Sequence, residues 1–325
     1  MSRVSIAVIG GGRNCEHDVS LDSAASIVAA LDPARYDVMP LTIDRNGVWL
    51  DAAGSAIGIG RVIELLANVD VVFPMVHGRH GEDGTLAGLC ELIGVPYVGS
   101  GVAAGAIGMN KHATKLVAMA AGIPTAAAVL LDAASERSFR FSRPVVVKPV
   151  SAGSSVGVSL VTAPEHLRDA IDAAFAVDSM VLVEDVVDGR EIDMAVIRRG
   201  DGSISTSPPL EIVGDGIFDN HAKYGGGEVF RVPAPIDGDA RAELETAAVR
   251  MYEALGCSGV VRIDFFLTAD GPVLNEVNTT PGFTARSQVP RMFAAAGIGY
   301  AELLDALIAD ALDARTARIM HAAGE

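Results

Sequence analysis

The chain has 325 residues, a formal net charge of −16, half of its residues hydrophobic, and 35 glycines. That length suits two or three domains with a sizeable core and many tight turns. The acidic balance argues against nonspecific nucleic-acid binding. No apolar run approaches the roughly 18 residues that span a bilayer, so neither nucleic acid nor membrane is expected as a partner.

The opening "MSRVSIAVIGGG" has only a short apolar part with strand alternation and a glycine turn, and reads as a first β-strand rather than a leader. Cys15, Cys90 and Cys257 show no metal-type spacing, which fits a reduced, cytoplasmic compartment. Only four of the 25 basic residues are lysine, namely Lys111, Lys115, Lys148 and Lys223. In an arginine-biased chain, retained lysines mark places that need a compact point charge.

In chain order, "VSIAVIG", "YDVMPLTID" and "VDVVFPMVHG" read as strands, and "EHDVSLDSAASIVAALD" and "EDGTLAGLCELIG" as helices. This alternation implies a Rossmann-like parallel sheet with its loops at the strand C-terminal ends. "GSGVAAGAIGMN" reads as a hinge. A helix from "KHATKLVAMAAG" then opens a second unit, with strands "TAAAVLL", "PVVVKPV", "VGVSLV" and "MVLVEDVV" and the helix "PEHLRDAIDAAFAV". The third unit carries strands "EIDMAVIRR" and "VVRIDFFL", the helix "DARAELETAAVRMYEALG" and a closing helix from "AELLDALIADALDARTARIM". The glycine-rich loop 214–227 is of a size that is usually functional or mobile. The expected fold is α/β, with an N-terminal Rossmann-like unit over 1–102 and two α+β units over 103–186 and 187–325.

Three stretches carry chemistry. In "PVVVKPVSAGSSVGV" a strand leads through Lys148 into the Gly/Ser loop 151–157, whose amides and hydroxyls can approach an anion. The lysine precedes the glycines and no helix follows, so this is no Walker A loop, and an ordinary hairpin is the alternative. In "RIDFFLTADGPVLNEVN" a hairpin turning at Asp270–Gly271 brings Asp264 opposite Glu276, with Arg262 and Asn278 on the same faces. Two carboxylates and an amide oxygen suit Mg²⁺, with substrate phosphates completing its shell; the alternative is a solvated edge. In "VLVEDVVDGRE", Glu184 and Glu191 end and follow a strand, a weak signal taken alone.

The order of these elements resembles the ATP-grasp superfamily. Within it, "GGRNCEHDVSL", "HGRHGEDGTLAGLCELIGVPYVGSG", "KPVSAGSSVGV", "AKY" and "RIDFFLTADGPVLNEVNTTPGFT" resemble the D-alanine:D-alanine ligase family across essentially the whole chain. The resemblance implies two ATP-grasp units that clasp ATP. It implies that Lys111, Lys148 and Lys223 contact the phosphates, with Ser154 and Ser155 covering them, Glu184 reading adenine and Glu191 ribose. Asp264, Glu276 and Asn278 would hold two Mg²⁺ ions, or Mn²⁺ in their place. Glu16, in a network with Ser154 and Tyr224, would hold the first D-alanine. His77 and Ser287 would meet the second, and Arg262 with the Gly282 amide would stabilise the oxyanion. It further implies a homodimer that makes a peptidoglycan precursor.

The sequence departs from the family pattern twice. Phe218, Asn220 and His221 replace two tyrosines and a glutamate of the usual lid, although Tyr224 is kept. Gln288 stands where leucine is usual, near the acceptor pocket, and either meets a more polar second substrate or faces solvent. A dipeptide ligase with another acceptor, and a non-catalytic nucleotide binder, are therefore the competing readings.

Overall fold

A computed structural model of the chain describes residues 3–214 and 229–322, with side chains described as far as Asp313. The glycine-rich loop beyond Gly214, and with it Phe218, Asn220, His221, Lys223 and Tyr224, lies outside the described residues.

Three sheets organise the chain. The first has the order β4-β3-β2-β1-β5, from β1 (Val4–Gly11), β2 (Tyr36–Ile43), β3 (Trp49–Leu50), β4 (Ala56–Ile57) and β5 (Val71–Pro74). β1 runs parallel to β2 and β5, while β3 and β4 add an antiparallel edge. Helices α1 (His17–Ala30), α2 (Ile59–Ala67) and α3 (Thr85–Ile93) accompany this sheet. Both faces of β1 are covered, so Ile6, Ala7, Val8 and Ile9 are all buried, which explains the continuous apolar run in a central parallel strand. α3 ends on Gly94, whose positive φ of 77° is cheap only for glycine.

The segment read as a hinge is instead mostly a helix, α4 (Val102–Met109). Its small residues are there for close approach. A Cβ on Gly105 would meet the backbone of Glu82 and Gly84 at 2.8 Å. α5 (Lys111–Ala120) follows at once, capped by the Asn110 side chain, which accepts from the Ala113 amide.

The second sheet has the order β6-β9-β7-β8, from β6 (Ala128–Leu131), β7 (Val145–Pro149), β8 (Ser159–Val161) and β9 (Val181–Asp185). All its pairings are antiparallel. α6 (Leu167–Phe175) buries Ala170, Ile171 and Ala174 with Val145, Val147 and Val183 in one cluster.

The third sheet has the order β13-β12-β10-β14-β15, with β11 also on β10. Its strands are β10 (Arg190–Arg198), β11 (Ile204–Thr206), β12 (Leu210–Val213), β13 (Val229–Arg231), β14 (Val260–Thr268) and β15 (Gly271–Asn278). Strand alternation divides it between two cores. Ile192, Met194, Val196, Val261, Ile263 and Phe265 pack with α7 (Gly238–Ala254), α4 and α5. Ala195, Ile197 and Val260 face α8 (Gln288–Ala295), α9 (Tyr300–Ala322) and Ile6 and Phe73 of the first sheet. Phe283 joins these layers, 6.3 Å from the Phe73 ring and 6.0 Å from the Tyr300 ring. The polar residues of β10 and β14 on this second face thus open toward the first sheet and α8. No single described helix is long and apolar enough to cross a membrane.

Candidate active site

The hairpin β14–β15 supplies the centre. Its register pairs Arg262 with Asn278 and Asp264 with Glu276, as the alternation requires. The ladder then slips between Asp264 and Phe265, so that Phe265 faces Leu274 and Asn275 is the extra residue. The bulge lets Leu274 and Val277 both enter the core while Asn275 joins the polar group. Lys148 Nζ reaches Asn275 Oδ1 at 3.4 Å, and Lys111 Nζ lies 3.3 Å from Glu276 Oε2.

Asp264 is buried and fully engaged. Arg262 forks onto it through Nε (2.7 Å) and Nη2 (2.9 Å), and Asn278 Nδ2 donates to Oδ2 at 2.9 Å. The Arg262 guanidinium also donates from Nη1 to Gln288 Oε1 at 2.7 Å, and Gln288 Nε2 donates to Asp193 Oδ2 at 2.9 Å. Burial would weaken the guanidinium charge, but Asp264 and Asp193 hold its pKa well above the ordinary arginine value.

The lysines come from two places. Lys111 and Lys115 stand one turn apart on α5 and therefore share a face. A cation in the first turn of a helix opposes the helix dipole. Partners offset that cost: Lys111 donates to the Ala152 carbonyl at 2.7 Å and pairs with Glu276, and Lys115 pairs with Glu184 at 2.9 Å. Lys148, at the end of β7, lies 2.8 Å from the other Glu184 oxygen. Burial alone would raise the Glu184 pKa, yet Lys148 and Lys115 hold it below the ordinary value. One end of the site therefore carries two lysines on one carboxylate, and the other sets Asp193, Asp264 and Glu276 against Arg262 and Lys111. Such a polarised pair of ends can receive anionic phosphates on one side and a hard cation on the other.

The Gly/Ser loop lies over the first sheet's terminal turn. Ser154 Oγ donates to Glu16 Oε1 at 2.7 Å. Ser154 and Ser155 both take left-handed φ values of 51° and 55°, a strained conformation for serine, in a tight turn closed by the Val156 amide donating to the Gly153 carbonyl at 3.2 Å. A Cβ at Gly153 would come within 2.6 Å of Glu16 Oε2, and one at Gly78 would collide with the same oxygen. Two glycines thus make room for one carboxylate.

The turn 279–284 is held from the first sheet. His77 is buried, with Nδ1 2.8 Å from the Thr280 carbonyl and Nε2 3.0 Å from Ser23 Oγ. A carbonyl only accepts, so Nδ1 carries the hydrogen and Nε2 accepts from Ser23, which itself accepts from the Phe283 amide. Burial lowers the His77 pKa, which agrees with this neutral ring. Glu82 accepts from the Thr280 and Gly78 amides, both at 3.1 Å. Burial, then the Glu16 charge, pushes its carboxyl up to about 7. Gly282 lies in this turn beside Ser287, whose hydroxyl accepts from the Thr284 amide at 3.0 Å. Glu191 lies on β10 opposite Phe266 and Ile212.

The fold thus gathers Lys111, Lys148, Glu184, Arg262, Asp264, Glu276, Asn278 and Gln288, with Glu16 and Ser154 at one side. Sequence reading overlooks Asp193, Asn275, Glu82 and Ser23, and marks Lys115 only by the scarcity of lysine. Asp193 had a signal: an acid inside the apolar strand "EIDMAVI" parallels Asp264 in "RIDFF", and such acids are rarely buried without a partner. Asn275 had none, because a bulge leaves no mark in the hydrophobic pattern.

Family models described as D-ala D-ala ligase N-terminus and D-ala D-ala ligase C-terminus match residues 5–100 and 119–309. A D-alanine–D-alanine ligase of Corynebacterium aurimucosum is 42% identical, with 95% of this chain and 98% of that protein covered. Among solved structures, the VanG D-Ala:D-Ser ligase of Enterococcus faecalis is similar at a TM-score of 0.84 and 34% identity, over 95% of this chain and 99% of that one. The Bacillus anthracis D-alanine–D-alanine ligase complexed with ATP is similar at 0.80 and 28%, over 97% and 99%. Matched along nearly its whole length, and with carboxylates, lysines and a glycine loop brought to one site, the chain belongs to the D-alanine–D-alanine ligase family.

Proposed function

We propose that this protein joins two D-alanines at the expense of ATP, through an acyl phosphate, to supply a peptidoglycan precursor. The observation that carries the reading is the polarised site, with Lys148 and Lys115 around Glu184 at one end and Asp264, Glu276 and Asn278 at the other. Two carboxylates in register and an amide fit a hard divalent cation, and the positive end fits phosphates. Asp264, Glu276 and Asn278 would hold Mg²⁺, which neutralises phosphate charge when bound. Glu184 and Glu191 are assigned to the nucleoside, and Ser154, Ser155, Lys111, Lys148 and Lys223 to the phosphates. The assembly is a cytoplasmic homodimer.

Glu16 holds the ammonium of the first D-alanine, fixed by Ser154 on one side and by the two glycines on the other. The substrate carboxylate attacks the γ-phosphorus, a step that asks the protein mainly for position and charge. The acyl phosphate needs shelter from water, a role we assign to the loop 151–157 and, from the sequence, to the segment carrying Tyr224. The second D-alanine, bordered by His77 and Ser287, attacks the acyl carbon with its amine. The oxyanion forms between Arg262 and the Gly282 amide, and phosphate leaves. His77 contributes by fixing the turn that carries Gly282, since both of its ring nitrogens are already bonded within the protein.

Phosphate release from ATP, measured with D-alanine alone and with D-alanine paired with D-serine or L-amino acids, tests this reading with products read by mass. D-Alanyl-D-alanine from D-alanine alone is the expected result. Turnover only with a mixed pair moves the protein to another acceptor, and no turnover with any pair overturns the enzymatic reading.

A further inference from the structure

We propose that Gln288 and Asp193 form a positioning pair that aims the Arg262 guanidinium at the developing oxyanion. The inference rests on the role given to Arg262 above and assigns two residues that act through it.

The geometry admits one arrangement. A guanidinium only donates and a carboxylate only accepts, so an amide between them must turn its oxygen to Arg262 and its nitrogen to Asp193. That is the arrangement found, at 2.7 Å and 2.9 Å. Asp193 is fully buried on β10, opposite Asp264 in the ladder, and its Oδ2 is 3.5 Å from Arg262 Nε. Gln288 is the first residue of α8, directly after Ser287. Three elements, β10, β14 and α8, therefore meet on one guanidinium.

The arrangement has a use because Asp264 has two demands on it. Its oxygens grip Arg262, yet the proposed function also assigns them to a divalent cation. Were a cation to draw on those oxygens, the fork on Asp264 would loosen, leaving the Gln288 hydrogen bond and the longer ion pair with Asp193 to hold Arg262. A neutral amide fixes the direction of the guanidinium without neutralising it, so its charge remains for the oxyanion. Asp193 in turn stops the Gln288 amide from rotating. Leucine, the residue expected here from the family pattern, can do neither. The same bonds engage both ends of the Gln288 side chain, so it offers the acceptor little polarity, and D-alanine remains the expected second substrate.

The test compares Gln288→Met, Asp193→Leu and the double variant with the unchanged enzyme, reading kcat, the KM for ATP and the thermal midpoint. Gln288→Met is expected to lower kcat about tenfold, with the KM for ATP within about twofold, the range seen when outer-shell partners are removed. The double variant should lose no more kcat than the worse single, because both residues act through one guanidinium. Gln288→Met sits at a half-buried helix start and keeps the test open if Asp193→Leu fails to fold. A Gln288→Met kcat within about twofold of the parent, or a fully additive double variant, overturns the proposal. Arg262→Met separates the two levels. If it abolishes turnover while Gln288→Met keeps kcat within about twofold of the parent, only the positioning pair falls; if it too leaves kcat unchanged, the oxyanion role of Arg262 falls.

Discussion

Ser154 Oγ donates to Glu16 Oε1 across 138 residues of chain, tying the loop after β7 to the turn before α1. The Gly153 backbone is so near that a methyl there would lie 2.6 Å from Glu16 Oε2. The atom in the way is the end of a flexible side chain, so Gly153→Ala should displace the carboxylate at little cost in stability. We expect kcat/KM for D-alanine to fall by about tenfold or more, as misplaced positioning groups do, with a nearly unchanged thermal midpoint. Steady-state kinetics and a melting curve check this; unchanged kinetics would remove Glu16 from substrate binding.

Glu276 and Asp264 face each other in the hairpin but differ in what depends on them. Glu276 Oε2 meets Lys111, which keeps a second bond to the Ala152 carbonyl. Glu276→Gln should therefore fold normally and lose at least about a hundredfold in kcat. Asp264→Asn leaves the buried Arg262 without its fork and should also lose about 3 kcal/mol of stability. Kinetics and urea unfolding of the two variants separate the effects.

Glu184 neutralises two buried lysines. Glu184→Gln strands both and should cost on the order of 3 kcal/mol, whereas Lys115→Met leaves Lys148 to balance the carboxylate and should cost much less. Urea unfolding of both variants decides; equal costs would mean that the three groups do not share one charge balance.

The Glu82 carboxyl, ordinarily near 4.5, is raised to about 7 by burial and by Glu16. The folded state holds a proton that the unfolded chain has released, so this contribution to stability is complete below about 4.5 and is lost as pH rises through about 7. Between pH 5 and 8 the parent should lose more of its thermal midpoint than Glu82→Gln does. A parallel pH dependence in the two proteins would show that Glu82 is ionised throughout.

The strands and the hairpin register were legible because period-2 alternation fixes a face and turn residues fix an end, while most other side chains gathered at the candidate site were named only through the family resemblance. Asp264 opposite Glu276 followed from those rules alone. What escaped depends on long-range contact. The run "GVAAGAIGM" looked loose, but its small residues let a helix press against the backbone of Glu82 and Gly84. Gln288 gave no sign of being bound at both ends, since Asp193 lies 95 residues away on another strand. Lys115 is a buried charge and Glu82 a half-buried carboxyl, and only the fold brings their partners together.

In the proposed reaction the first substrate's carboxylate is phosphorylated before the peptide bond forms. This order is tested most directly with D-alanine carrying a heavy oxygen isotope in both carboxylate oxygens. Attack on the γ-phosphorus followed by amine attack on the acyl carbon sends one carboxylate oxygen out with each phosphate. Released phosphate should carry a single heavy oxygen, together with ADP and the dipeptide. Unlabelled phosphate, or AMP and pyrophosphate in place of ADP, would contradict it.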